Sequence, residues 1–255
     1  MSFRLAPLFD LTGRTALVTG GNSGIGLALA RALGLAGAGL ILTARREADL
    51  AAAAASLRAE AIACESFPAD LAEAGAVGSR VARLGSQPVD IIVNAAGVNL
   101  RQPFEAVTAE AFDLHMALHV RAPFLLTQAL APAMADRGFG RIVNIASLQS
   151  YRAFPNSAPY GAAKGAVVQL TRAIAEAWSA RGVTCNAIAP GFFPTSLTRA
   201  VFDDPDRTAH YAAQTACGRN GELADLYGAV VFLASGASAY VTGQTLAVDG
   251  GFTAK

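Results

Sequence analysis

The chain has 255 residues, 53% of them hydrophobic and only 15% charged, with 25 glycines and a formal net charge of +1. That length suits a single α/β domain, and the lack of any basic or acidic block argues against nucleic acid or an anionic membrane as a partner. Charged residues usually make up about a quarter of a soluble domain, so the deficit points to apolar surface buried between subunits of a homotetramer or homodimer.

Along the chain, short apolar runs at 15–19, 39–43, 61–67, 90–93, 141–146, 183–188 and 245–248 read as strands. Helical patterns lie between them, near 24–36, 47–59, 71–85, 109–136, 157–180 and 222–234. The strands are too apolar to alternate, which predicts a parallel sheet covered on both faces. Strand and helix in turn imply right-handed crossovers. The expected fold is α/β: a single-domain Rossmann fold over 1–255, doubly wound, with a seven-stranded parallel sheet and helices on both faces. No linker or internal repeat divides the chain.

Residues 1–10 do not read as a secretory signal, and no run of 18 or more uncharged apolar residues suggests a membrane span. Cys64, Cys185 and Cys217 fit neither a disulfide framework nor a metal spacing. Buried free thiols in the cytoplasm are the expectation.

Ligands of such folds collect at the carboxyl ends of the strands. After the first strand stands Thr19-Gly20-Gly21-Asn22-Ser23-Gly24-Ile25-Gly26. Gly20 permits a tight turn, Gly24 lets backbone approach a pyrophosphate, and Gly26 lets the helix pack closely on the sheet. The helix start then offers free N–H groups and positive dipole to phosphate. After the second strand, Ala44-Arg45-Arg46 holds no acid for a ribose hydroxyl but two guanidinium groups for a 2′-phosphate, so NADPH is expected over NADH.

Tyr160 and Lys164 stand four residues apart in a helical stretch, hence on one face. A cation at about 4 Å would bring the phenol pKa from about 10 toward about 7, fit for a general acid/base. Ser147, at the end of the fifth strand, is placed by topology to hydrogen-bond the reacting oxygen. Gln149 and Arg152 just beyond it are candidate substrate contacts.

Together these residues resemble the short-chain dehydrogenase/reductase family, from about Leu11 to Gly251. The resemblance implies a nicotinamide-dependent enzyme interconverting a carbonyl and a secondary alcohol. It makes Tyr160 the acid/base, Lys164 the ribose ligand that tunes it, and Ser147 the group orienting the substrate oxygen. Asp70-Leu71 matches the family's adenine-contacting pair, and Asn94-Ala95-Ala96-Gly97 its N-A-G segment. Pro190, Gly191 and Thr195 match the stretch beside the nicotinamide. Thr242-Gly243-Gln244 and Val248-Asp249-Gly250-Gly251 resemble its closing motif, usually at a subunit interface.

One position departs from the family pattern. His119 stands where an Asn usually holds a water of the proton relay. An imidazole can also donate and accept, so an intact relay is expected; a broken one would leave a dinucleotide-binding sensor or scaffold. His115 and His119 also form an H-x-x-x-H pair, but Met116 replaces the catalytic Glu of that zinc motif and no third ligand is evident, so no metal is expected. Residues 192–219 read as a substrate lid of loop and short helix. Arg101 has a counterpart in relatives acting on gluconate-type sugar acids, which makes a small carboxylate the expected substrate. A 3-oxoacyl thioester is the competing one.

Overall fold

In the computed structural model, which describes residues 5–73, 75–84 and 87–255, all seven apolar runs form strands. They are β1 (Thr15–Thr19), β2 (Gly39–Ala44), β3 (Cys64–Pro68), β4 (Ile91–Asn94), β5 (Gly140–Ile145), β6 (Val183–Pro190) and β7 (Thr245–Val248). All pair in parallel, in the order β3-β2-β1-β4-β5-β6-β7. The helices are α1 (Gly24–Leu35), α2 (Glu47–Ala59), α3 (Ala76–Leu84), α4 (Ala109–Met116), α5 (Ala122–Asp136), α6 (Ala158–Trp178), α7 (Arg199–Phe202), α8 (Pro205–Gln214) and α9 (Tyr227–Ala234).

Successive strand residues enter different layers. Ala16, Val18, Leu40, Leu42, Ile91 and Val93 join one core with Leu29, Leu57 and Leu233 of α1, α2 and α9. Leu17, Ile41 and Ile92 join the other with Leu84, Leu126 and Ile174 of α3, α5 and α6. Both faces of the inner strands are therefore dry, which is why those strands read as unbroken apolar runs, whereas the edge strands β3 and β7 stay partly exposed. Each fully buried Leu or Ile there contributes roughly 1.5–3 kcal/mol.

The register aligns a polar row across the sheet where the strands end: Thr43 opposite Thr19, Thr19 opposite Asn94, Asn94 opposite Asn144. Asn94 donates to Asn144 at 2.8 Å and Asn144 to the Thr171 hydroxyl at 2.9 Å. The Thr19 hydroxyl receives the N–H groups of both Ala95 and Ala96 at 3.1 Å. These bonds satisfy groups that burial would otherwise leave unpaired, and they shape the loops beyond the sheet.

Several elements differ from the sequence expectation. The helix expected over 109–136 is two helices joined by a π turn, Ala117–Arg121. Pro123 lacks the N–H that an α-helix would direct to the His119 carbonyl, and the helix widens there; such turns are frequent at functional sites. The third strand starts late because Ala61 takes a left-handed φ of 61° behind α2. The helix expected over 71–85 begins at Ala76, and its positions 74 and 85 lie outside the described residues, as do residues 1–4 of the N-terminal segment. Cys64 and Cys185 are buried, but Cys217 is exposed, contrary to expectation, because it sits in the loop after α8. Among the described residues no helix is long and apolar enough to cross a membrane.

Candidate active site

A cavity of about 330 Å³ opens at the carboxyl edge of the sheet. Gly20, Asn22, Ser23, Gly24, Ile25 and Gly26 form one wall. The glycines are required by contact: a Cβ on Gly20 would lie 2.8 Å from Ala96 backbone, and one on Gly26 would lie 2.2 Å from the Gly20 carbonyl oxygen. Ser23 precedes α1 without capping it through its side chain, and no acid occupies the first turn. An anion such as a pyrophosphate would satisfy those N–H groups, so the wall fits a dinucleotide.

Arg46 lines the same cavity and precedes α2, paired with Asp49 of that helix's first turn. This carboxylate offsets the cation at the helix start. Arg45 lies outside the lining and pairs with Asp70 at 3.5 Å. Ala95, Gly97, Pro190, Gly191 and Thr195 line the cavity, as expected from their places after β4 and β6. Besides Arg45, four expected cofactor contacts do not: Asp70, Leu71, Asn94 and Ala96. Asp70 pairs with Arg45, Leu71 is buried in the core, Asn94 gives its Nδ2 to Asn144 with its Oδ1 buried and unpartnered among the described residues, and Ala96 is turned back through its N–H to Thr19.

Ser147, Tyr160 and Lys164 are brought together on this cavity. Ser147 opens a tight turn, Leu148–Ser150, and its Oγ receives the Gln149 N–H at 3.1 Å. The Ser150 hydroxyl receives the Ser147 N–H at 3.2 Å and donates to the Lys164 carbonyl at 2.7 Å, so one side chain sets the β5 end against α6. Lys164 is buried, its Nζ donating to the Ile145 carbonyl at 2.6 Å and lying 5.5 Å from the Tyr160 ring centre.

The protein's own groups do not produce the expected lowering of the Tyr160 pKa. Burial pushes the phenol up, against weaker downward pulls from the Ser147 hydrogen bond and the Arg101 charge. Burial also holds the Lys164 ammonium down at about 7. Desolvation disfavours both charged forms and outweighs the attraction that spacing alone suggested.

His119 is buried in the π turn, its ring edge-on to Tyr160 with centres 5.3 Å apart. Its Nε2 lies 2.9 Å from the Val98 carbonyl and 3.4 Å from the Val98 N–H; the shorter contact, to a group that can only accept, favours the proton on Nε2. Nδ1 is then a buried acceptor, with no hydrogen-bond partner among the described residues. Burial, followed by the nearby Lys164 charge, pulls its pKa well below the ordinary histidine value, so the ring is neutral. His115, one turn earlier, has Nδ1 2.7 Å from the Ala111 carbonyl and Nε2 3.2 Å from the Leu100 N–H. Both nitrogens are engaged by backbone, which leaves it no lone pair for a metal.

Arg101, Asn99, Gln149, Phe154 and Phe192 also line the cavity. Gln149 Oε1 is buried without a hydrogen-bond partner among the described residues. Arg152, an expected substrate contact, instead packs over the Phe252 ring at 5.1 Å and lies outside this lining. Sequence reasoning missed Thr19, Asn99, Ser150 and Phe154, and had Phe192 only as the start of the lid. Ser150 alone had a local signal, the S-x-x-S spacing of a capped turn; the others depend on which loops meet.

Comparison with known proteins agrees with this geometry. A family model described as enoyl-(acyl carrier protein) reductase matches residues 20–253. Gluconate 5-dehydrogenase of Gluconobacter oxydans (strain 621H) is 42% identical over 248 residues, covering 96% of this chain and 97% of that one. Galactitol 2-dehydrogenase (L-tagatose-forming) of Cereibacter sphaeroides is 41% identical over 259 residues, covering 96% and 97%. The crystal structure of a gluconate 5-dehydrogenase from Burkholderia cenocepacia J2315, in complex with NADP and tartrate, superposes with a TM-score of 0.93 at 40% identity, covering 98% of this chain and 99% of that one.

Proposed function

The chain belongs to the short-chain dehydrogenase/reductase family, and from that premise we propose that this oxidoreductase interconverts the carbonyl and secondary alcohol of a gluconate-type sugar acid, using NADP(H). The observation that carries the substrate is the convergence of Arg101, Asn99 and the unpaired Gln149 Oε1 on the cavity that holds Ser147 and Tyr160. A guanidinium suits a carboxylate, and an unpaired buried acceptor suits a hydroxyl. A gluconate-type acid carries both groups, whereas a simple ketone carries neither.

NADP(H) supplies or takes up the hydride when bound. The open start of α1 and the glycine turn hold its pyrophosphate, Arg46 and Arg45 its 2′-phosphate, and Lys164 its ribose. In the reductive direction Tyr160 gives its proton to the oxygen of the forming alcohol. Burial keeps the phenol protonated at neutral pH, so the proton is there to give, while the same burial makes it a weaker acid than a free tyrosine. Ser147 Oγ accepts the Gln149 N–H, and its own proton, now turned to the Tyr160 phenol, would turn to the same substrate oxygen on binding. The proton that Tyr160 gives up returns from solvent water by way of Lys164; His119 Nδ1, which carries no proton, serves only to accept a hydrogen bond from a water in that chain. Residues 192–219 act as the lid, with Phe192 stacked on Tyr211 at 3.8 Å. Exposed Phe104, Phe112 and Phe124 support assembly into a cytoplasmic homodimer or homotetramer.

The competing substrate, a 3-oxoacyl thioester, is favoured by the acyl-carrier-protein description of the matching family model, but it brings no hydroxyl to Gln149. Following NADPH absorbance with 5-keto-D-gluconate, neutral ketones and an acetoacetyl thioester separates the readings. Turnover of 5-keto-D-gluconate well above the others is expected. Reduction of simple ketones with 5-keto-D-gluconate ignored would sink the sugar-acid reading. NADPH binding without turnover of any substrate, and indifferent to Tyr160→Phe, would make the chain a dinucleotide sensor or scaffold.

A further inference from the structure

The segment from Val98 to Gln102 carries Asn99 and Arg101 into the active-site cavity, and it is held at every second residue from the helical side. The Val98 carbonyl is bound by His119 at 2.9 Å, and the Leu100 N–H by His115 at 3.2 Å. From the other side Ser157 donates to Asn99 Oδ1 at 3.3 Å, and the Gln102 N–H donates to the Asn156 carbonyl at 3.0 Å. Arg101 thus stands between two pinned backbone positions, 100 and 102, while its own side chain is exposed to the cavity.

His115 is wholly buried, and its proton is assigned by its neighbours. A carbonyl can only accept, so Nδ1 donates to Ala111; an N–H can only donate, so Nε2 accepts from Leu100. The ring stacks on His119 with centres 6.0 Å apart and stands 6.3 Å from Tyr160. A hydrocarbon side chain would keep that packing and lose the pin on Leu100.

We propose that His115 is a positioning residue for substrate choice: by accepting the Leu100 N–H it sets where Arg101 stands relative to Tyr160, and so sets the preference for anionic over neutral substrates. The inference rests on the sugar-acid reading above. Arg101 is close enough for its charge to act on the Tyr160 phenol, so a displaced segment would weaken both carboxylate binding and that influence. His115 does not touch the reacting atoms; its effect passes through the backbone at 100.

The test compares His115→Phe, which keeps a ring without the acceptor, with His115→Gln, whose Oε1 falls near the place of Nε2. Steady-state kinetics are measured with 5-keto-D-gluconate and with the neutral ketose D-fructose. His115→Phe should raise KM for 5-keto-D-gluconate about tenfold, with kcat little changed, and lower the anionic-to-neutral ratio of kcat/KM by a similar factor. His115→Gln should recover most of the loss. Arg101→Ala should show the same KM effect, and His115→Phe should add little to it in the double variant. NADPH binding by fluorescence reports folding; if His115→Phe fails that check, His115→Asn, too short to reach Leu100, replaces it. An equal loss on both substrates, or full additivity with Arg101→Ala, overturns the role of His115 while leaving the carboxylate site standing. No effect of Arg101→Ala on the KM for 5-keto-D-gluconate overturns the sugar-acid reading itself, and the inference with it.

Discussion

A methyl group on Gly97 would lie 2.3 Å from Cε1 of His119. The loop after β4 and the π turn are therefore fitted to each other, glycine on one side and imidazole on the other. That fit brings the Val98 carbonyl to His119 Nε2 and keeps the ring edge-on to Tyr160.

Gly97→Ala should accordingly destabilise the protein by about 1–3 kcal/mol, the usual cost of overpacking a tight contact, and lower kcat with it. Replacing His119 by Asn removes the obstructing ring atom. The double variant should be less damaged than the sum of the singles, with a coupling of about 1 kcal/mol or more by urea denaturation. Simple additivity would show that the two residues are not fitted in the way the contact indicates.

Tyr160→Phe keeps the ring packing and removes the hydroxyl that carries the proton. A loss of about 10²–10⁴ in kcat is expected from deleting a general acid, with NADPH affinity nearly unchanged. Absorbance kinetics and fluorescence titration read the two effects separately. A comparable loss in cofactor affinity would assign Tyr160 to binding in place of proton transfer.

The two arginines after β2 should divide the cofactor from its analogue. Arg46 lines the cavity, whereas Arg45 pairs with Asp70 outside the lining. Arg46→Ala should weaken NADPH by about tenfold or more while leaving NADH nearly as before, the signature of a lost charge-assisted phosphate contact. Arg45→Ala should act in the same direction, with a smaller effect, since its guanidinium must first leave Asp70. Isothermal titration with both nucleotides decides; equal losses for NADPH and NADH would remove the 2′-phosphate assignment.

Lys164 makes stability depend on pH in a predictable direction. Its folded pKa of about 7 lies below the ordinary value of 10.5, so the unfolded chain holds a proton that the folded one lacks between the two. The penalty for the buried ammonium, roughly 5 kcal/mol at full strength, is complete below the folded value and is relieved as pH rises toward the unfolded one. The cofactor-free protein should gain stability relative to Lys164→Met between about pH 7 and pH 8.5, by thermal denaturation. The buried thiols of Cys64 and Cys185, pushed up by burial, oppose this at higher pH but are common to both proteins. A flat difference would show that the ammonium is solvated in the folded chain.

What the sequence determined by itself was whatever local geometry or period encodes. Unbroken apolar runs meant buried parallel strands, the glycine spacing meant a turn into a phosphate-ready helix, and the four-residue step from Tyr160 to Lys164 meant one helical face. Those signals survive because they depend on neighbours along the chain. Tertiary structure alone decided the rest. Asn94 went to a buried ladder because β4 lies beside β5, and Arg152 turned to Phe252 because the C-terminal residues fold back beside the turn after β5. Tyr160 was pushed up, not down, because desolvation depends on everything that covers a group and not on the one cation four residues away. His115, read as half of a metal motif that lacked its other ligands, became a backbone pin once the loop after β4 was laid against α4. Through-space contacts between strand ends set those outcomes, and their pairing is written in the order of the sheet and not in any local spacing.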